Sequence, residues 1–332
     1  MLPFVIFVIA LALLFDFLNG MNDAANSVAT IVSTRVLSPR LAVMWAAFFN
    51  FIAAFFFGVH VAMTIGKGVV DPAVVSPVMI LVSLLSAVAW THICTQAGLP
   101  ISVSHALIGG LVGSGIAKAG FKALIAPGLT KILLFIVLSP IIGFLLAMTL
   151  MKVLFWLFRN SNPRKIDVWF RRLQLVSAGF YSLSHGTNDA QKTMGVVAVL
   201  LYSTGYLGTE FYVPIWVILS CHFAIAMGTL LGGWKVIKTL GMKMTKLKPV
   251  HGFAAETASA ISIIFASLMG APVSTTHTIT GAVIGVGAAT RFSAIRWGIA
   301  YKIVWTWILT IPSTALVSFL LWEAAALLRL AK

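Results

Sequence analysis

The sequence predicts an all-α polytopic membrane protein built as two inverted-topology repeats, with broken helices, re-entrant hairpins and about ten apolar segments. Three observations carry that prediction. Hydrophobic residues make up 60% of 332 positions and charged residues 9%, whereas a soluble domain has about 25% charged residues and a bilayer core demands windows of roughly 20 apolar ones. A polar motif, G-x-N-D-A, occurs in Asn19-Gly20-Met21-Asn22-Asp23-Ala24-Ala25-Asn26 and again, at an offset of 166, in His185-Gly186-Thr187-Asn188-Asp189-Ala190-Gln191-Lys192. A second motif, G-x-P-x-S-x-[ST]-H, runs from Gly98 to His105 and, at an offset of 172, from Gly270 to His277.

Taken in order, segment A covers residues 2–18 and continues through the first N-D motif to about 33. Its start lacks a basic n-region and runs straight into the motif, so it reads as a retained first helix rather than a cleaved signal. Segments B (41–58), C (73–97) and D (101–117) follow, then a long segment E (123–158) interrupted by Pro140. As one helix E would extend about 54 Å, so one tilted or kinked span and two spans are both open. The second half repeats the order as A′ (174–206), B′ (213–234), C′ (251–270), D′ (273–289) and E′ (297–328).

Duplication is written residue by residue. Gly109, Gly113 and Gly115 match Gly281, Gly285 and Gly287, and Pro140 matches Pro312. The change of offset from 166 to 172 means that the second half gains six residues, expected in the basic B′ to C′ stretch around Lys243, Lys246 and Lys248. The domain organisation is then a first inverted repeat (1–158), a basic cytoplasmic connecting loop (159–172) and a second inverted repeat (173–332).

Loop charge sets the orientation. With C and D returning to the side they left, Arg35, Arg40, Arg159, Arg164, Lys165, Arg171, Arg172, Lys235, Lys238, Lys243, Lys246, Lys248, Arg291 and Arg296 share one side, against Lys67, Lys118, Lys122, Arg329 and Lys332 on the other. The richer side is cytoplasmic, which puts the N-terminus outside, inverts the halves and places the protein in the cell membrane as a multi-pass protein. The net charge of +15 therefore faces anionic lipid and excludes a nucleic-acid partner. Cys94 and Cys221 sit in apolar runs and read as small buried thiols.

The chemistry lies in what does not belong in lipid. Asp16, Asp23, Asp189 and Glu256 stand inside apolar segments, where a carboxylate must be paired, protonated or bound to a cation. Asp, Asn, Ser and Thr offer hard oxygens, which suit Na⁺ and not soft metals. Each G-x-P-x-S-x-[ST]-H stretch joins two apolar runs through a few uncharged residues, as the tip of a re-entrant hairpin does. Helix N-termini with hydroxyls form an oxyanion receptor, and two facing tips would surround a tetrahedral anion with Ser102, Ser104, Ser274, Thr275 and Thr276. Lys192 would either offset the anion's charge or snorkel to an interface. His105 and His277 lack the companions of a zinc site and are expected to hydrogen-bond behind the site, with Glu256 in the same supporting layer or carrying a proton. Asn50 and His222 are expected as buried polar packing groups.

The two motif pairs together resemble the inorganic phosphate transporter family, the cation-coupled phosphate permeases, over the whole chain. The resemblance implies secondary active import of inorganic phosphate by symport with Na⁺ or H⁺, free or as a metal complex, by an elevator-like or rocking movement in a homodimer, with no other cofactor. It implies cation ligands at Asn22, Asp23, Asn26, Asn188 and Asp189 and phosphate donors at Ser102, Ser104, Ser274, Thr275 and Thr276. A related branch resembles sulfate permeases, and the intact N-D pair in both halves tilts the reading to phosphate. An anion channel remains an alternative. An intramembrane hydrolase is disfavoured because Ser104 and Thr276 are sequence neighbours of His105 and His277, on the wrong side of a helical step for easy contact, and because a duplicated constellation has no use in a single active site; the chain is not expected to be an enzyme.

Overall fold

A computed structural model describes residues 1–56, 58–243 and 247–330, with side chains except at 241–243 and 294. Lys246 and Lys332 of the charge count lie outside the described residues. The described residues form twelve α-helices: α1 (Leu2–Ser33), α2 (Pro39–Ile52), α3 (His60–Gly68), α4 (Pro77–Ala97), α5 (Val103–Ala119), α6 (Ala126–Leu157), α7 (Pro163–Ser203), α8 (Ile215–Leu231), α9 (Trp234–Lys243), α10 (Pro249–Leu268), α11 (Thr275–Thr290) and α12 (Trp297–Leu327). Proline opens the first turn of α1, α2, α4, α6, α7 and α10, where its missing N–H has no intrahelical partner to lose.

Five of these helices are long and apolar enough to cross a membrane, or up to seven spans if each bent pair counts as one. Segment E is a single helix, α6, with Pro140 inside it. Segments B and B′ are broken helices: α2 gives way to α3, and α8 meets α9 at 76°. The apolar segments stop at those breaks, and α3 and α9 lie beyond them because their Lys, His and Gly residues lower the hydropathy. The basic stretch expected as a loop at 159–172 is helical from Pro163, and its polar, exposed turns extend α7 beyond its apolar part. The six extra residues of the second half are also not where the sequence suggested. Gly58 and Thr64 match Gly233 and Thr239 at an offset of 175, so nine residues are gained before the broken helices, largely in the α7 to α8 loop (204–214 against 34–38), and three are lost after them, for a net six.

The hairpins form as their residues dictate. Gly98 closes α4 at φ 70° and Gly270 follows α10 at φ 64°, a left-handed conformation that glycine adopts without strain. The N–H of Leu99 returns to the Cys94 carbonyl at 2.9 Å, and that of Ala271 to Ala266 at 2.8 Å. Ser102 and Ser274 then cap α5 and α11 by accepting the N–H of His105 (3.3 Å) and His277 (3.2 Å), the preferred use of serine at this position.

Packing crosses between the halves reciprocally. α5 lies along α12 and α11 along α6, while α1 packs on α8 and α7 on α2 and α3. Gly109 and Gly113 face Ile311, Thr314 and Ala315, and Gly281 and Gly285 face Pro140 and Phe144; an added Cβ at any of the four would collide with the opposing helix. Small residues allow this close approach, and it replaces the hydrophobic driving force that lipid does not supply. Large apolar side chains are exposed on α6 (Leu133, Leu134, Val137, Leu145) and α12 (Ile308, Leu309, Leu316, Leu320), faces that suit acyl chains.

Each hairpin turn is also held by a threonine from the broken helix of the other half. Thr64 Oγ1 on α3 donates to the Gly270 carbonyl at 2.7 Å, and Thr239 Oγ1 on α9 donates to the Gly98 carbonyl at 3.0 Å. The two threonines occupy matching places in Gly58-x-x-Val61-x-x-Thr64-x-Gly66 and Gly233-x-x-Val236-x-x-Thr239-x-Gly241.

Candidate functional site

The N-D motifs lie in the interiors of α1 and α7, whose long helical courses carry polar residues to where the two hairpins end. All of the site side chains are buried, Asp23 and Asp189 at 2% and 0% exposure. The two carboxylates, from halves separated by 166 residues, face the same imidazole. His185 Nε2 is 3.1 Å from Asp189 Oδ2 and 3.7 Å from Asp23 Oδ2, and one donor atom from each of the three residues falls within 4.8 Å of the others. Such a trio is the group among the described residues best arranged to hold a cation.

The second hairpin supplies hydroxyls to both acids. Thr275 Oγ1 stands 3.0 Å from Asp189 Oδ2 and 3.4 Å from Asp23 Oδ2, and Thr276 Oγ1 stands 3.3 Å from Asp23 Oδ1. Asn26 Nδ2 donates to Thr276 Oγ1 at 2.9 Å. Lys192 then joins the two tips: its ammonium donates to Asp189 Oδ1 and Ser104 Oγ at 2.5 Å each and to the Val273 carbonyl at 2.6 Å. One cation thus touches the acid, the first hairpin and the second, and the snorkelling alternative is excluded.

The motif asparagines are placed alike. Asn22 Nδ2 donates to Thr95 Oγ1 and Asn188 Nδ2 to Ser267 Oγ, both at 2.7 Å. Thr95 and Ser267 are themselves matching positions at the offset of 172. In both, the amide nitrogen is spent on the hairpin and Oδ1 has no hydrogen-bond partner, so each amide leaves a hard oxygen that a cation can use.

Other expected residues are placed differently. Ser102 and Ser274 accept at the helix caps, which leaves only their O–H groups to donate. His277 Nδ1 lies 3.5 Å from the Ile136 carbonyl on α6, a long contact behind the site, whereas the His105 ring makes none. Their rings meet edge to face with centroids 4.6 Å apart, and His277 lies 3.7 Å from the Trp307 ring. Both His105 nitrogens and His277 Nε2 have no hydrogen-bond partner. Glu256 belongs to a separate network, where it accepts from Thr30 Oγ1 (2.5 Å), Ser177 Oγ (2.5 Å) and Gln174 Nε2 (3.0 Å). Asn50 and His222 are buried packing groups as expected: His222 Nδ1 is 2.9 Å from the Asn50 carbonyl, and Asn50 Oδ1 is 3.2 Å from His185 Nδ1. His185 itself was the residue that sequence reasoning passed over. Its signal is the i, i+4 spacing to Asp189, which puts both side chains on one face of a helix.

Comparison with known proteins points the same way as this geometry. Residues 19–318 match the phosphate transporter family. A protein of Rhizobium meliloti (strain 1021) described as a probable low-affinity inorganic phosphate transporter is 58% identical over 325 residues, which cover 98% of this chain and 97% of the relative. One of Bacillus subtilis (strain 168) with the same description is 44% identical over 312 residues, 93% of each. A solved structure, "The sodium-dependent phosphate transporter", has a TM-score of 0.91 at 28% identity and covers 98% of this chain and 99% of its own. Two duplicated motifs converging on one buried cluster, in a chain matched almost from end to end, place this multi-pass membrane protein in the phosphate transporter family, whose members are transporters and not enzymes.

Proposed function

We propose that the protein imports inorganic phosphate across the cell membrane by symport with a cation, Na⁺ first, and that Lys192 and the facing hydroxyls of the two hairpins hold the phosphate. The observation that carries this reading is the bridge made by one ammonium between Asp189, Ser104 and Val273. A phosphate arriving there meets the Lys192 charge, the Thr275, Thr276 and Ser104 hydroxyls, the O–H groups of Ser102 and Ser274, and the N-terminal ends of α5 and α11, which carry partial positive charge. It also meets Asp23, whose carboxylate has hydroxyl donors but no Lys or Arg partner among the described residues. Two anions that close in a water-free site repel by several kcal/mol. A Na⁺ bound by Asp23 with the unpartnered Oδ1 of Asn22 and Asn188 removes that repulsion, and its gradient supplies the driving force.

The sodium dependence named for the solved relative supports the choice of ion, and an outside N-terminus and a homodimer complete the proposal. The test is radiolabelled phosphate uptake in proteoliposomes with Na⁺ and pH gradients imposed separately. Saturable accumulation that follows an imposed cation gradient is expected. Uptake that does not saturate, or that ignores both gradients, overturns symport.

A further inference from the structure

Asp16 is the buried acid that the phosphate site does not use. It lies on α1 seven residues before Asp23, about 10 Å along the helix axis, and is 0% exposed. Neither carboxylate oxygen accepts a hydrogen bond of regular geometry, and no Lys, Arg or His forms an ion pair with it among the described residues. Its surroundings hold more unclaimed oxygens. Asn19 on α1 and Thr193 on α7 stand beside it, with Cys221 on α8. Asn19 Oδ1 and Thr193 Oγ1 are buried and make no hydrogen bond of regular geometry, so both side chains remain turned toward the Asp16 carboxyl group.

The behaviour of Thr193 is informative because a threonine inside a helix usually returns its hydroxyl to the carbonyl one turn back. Thr187 does this on the same helix, to Leu183 at 2.8 Å. Ser182, which the offset of 166 pairs with Asp16, does it too, to Ala178 at 2.8 Å. In the second half this position therefore satisfies itself, whereas in the first it is an acid with no ion-pair partner among the described residues. An ionised carboxylate in such surroundings is very costly unless a cation sits on it.

We propose that Asp16, Asn19 and Thr193 form a second cation site, separate from the phosphate cluster, that takes one monovalent cation, Na⁺ or a proton, in each transport cycle. The inference rests on the symport reading above. The ionisable groups that interact with Asp16 are Asp189 and His185 on α7 and Cys221 on α8. Through Asp189 and His185 the charge state of Asp16 is felt at the phosphate cluster, where loading neutralises an acid two helical turns away and favours the arrival of an anion.

The test uses the full chain in proteoliposomes and reads phosphate–phosphate exchange without a gradient and the number of cations moved per phosphate, with Na⁺ and pH gradients in separate arms. Asp16→Asn supplies the neutral form permanently. It is expected to go on exchanging phosphate while moving one cation fewer per phosphate, and the arm that shows the loss names the ion. Thr193→Val is expected to raise the half-saturating concentration of that ion about 3- to 10-fold. An unchanged cation count for Asp16→Asn in both arms overturns the site. Should Asp16→Asn fail to insert, Thr193→Val and Asn19→Leu decide, and unchanged half-saturation for both ions overturns it equally. Wild-type protein that exchanges phosphate but couples to neither ion refutes symport itself, and the site with it; a coupled wild type beside an unchanged variant refutes the site alone.

Discussion

The two N-D motifs occupy matching turns of α1 and α7, yet their acids live in different electrostatic company. Asp189 has the Lys192 ammonium at 2.5 Å and His185 at 3.1 Å. Asp23 has hydroxyls at 3.3 and 3.4 Å and the same imidazole at 3.7 Å. The cause is three substitutions within one duplicated pattern: at the offset of 166, Asn19 matches His185, Asn26 matches Lys192, and Asp16 matches Ser182. The second half has gathered the fixed positive charge and the first half the unanswered negative charge. Duplication supplied a frame with two equal places, and divergence made one a built-in ion pair and the other a place for a mobile ion.

The largest effect is expected from breaking the built-in pair. Lys192→Met leaves Asp189 buried beside an imidazole and one hydroxyl, and loss of one partner from a buried pair costs about 3–5 kcal/mol. The variant should lose phosphate uptake and melt at a clearly lower temperature in detergent. Adding Asp189→Asn should restore most of the melting temperature and none of the uptake. A single variant that melts like wild type would show that Lys192 is not what balances Asp189.

Asp23→Asn should separate the two halves cleanly. With no fixed partner to strand, it should keep the wild-type melting temperature within a few degrees, while cation-driven uptake falls at least 100-fold. Normal accumulation in this variant would remove Asp23 from coupling. Next in size are the hydroxyls. Ser104→Ala with Thr276→Ala should raise the phosphate KM by at least about 10-fold, because even one hydrogen bond to a charged group contributes about 1.5–3 kcal/mol and each 1.4 kcal/mol is tenfold, and unchanged kinetics in the double variant would count against facing hairpins. The smallest effect belongs to the turn clasps. Thr64→Val and Thr239→Val each remove one neutral hydrogen bond, worth about 1 kcal/mol, and should shift the maximal uptake rate by a fewfold with KM held. Equal shifts in KM would mean that the clasps shape the site rather than hold its tips.

The parts of this molecule that were legible in its sequence are those where an expensive residue is spent twice. Paired carboxylates in apolar helices and paired Pro-Ser-[ST]-His stretches have no cheap explanation in lipid, so Asp23, Asp189, Thr275, Thr276 and Ser104 could be brought to one place by argument alone. What stayed hidden depends on three-dimensional neighbours. Lys192 reads equally well as a ligand or a snorkelling side chain until Ser104 and Val273 are seen beside it. Glu256 shares the apolar setting of the N-D acids, but Thr30, Gln174 and Ser177 claim it elsewhere. His105 and His277 end the hairpin motif and still turn toward each other and Trp307. The helical course of 163–172 escaped notice because a hydropathy window reports lipid contact, and α7 goes on past the point where its surface stops being apolar.

The glycine faces of α5 and α11 carry one more consequence. Because Gly113 abuts the backbone of Ala315 and Gly285 that of Phe144 with no room for a methyl group, neither hairpin arm can slide along its long neighbour without prising two main chains apart. Each arm and its neighbour therefore travel as one stiff paddle, α5 with α12 and α11 with α6. A methyl group at Gly113 or Gly285 would therefore wedge the paddle apart without touching a single ligand.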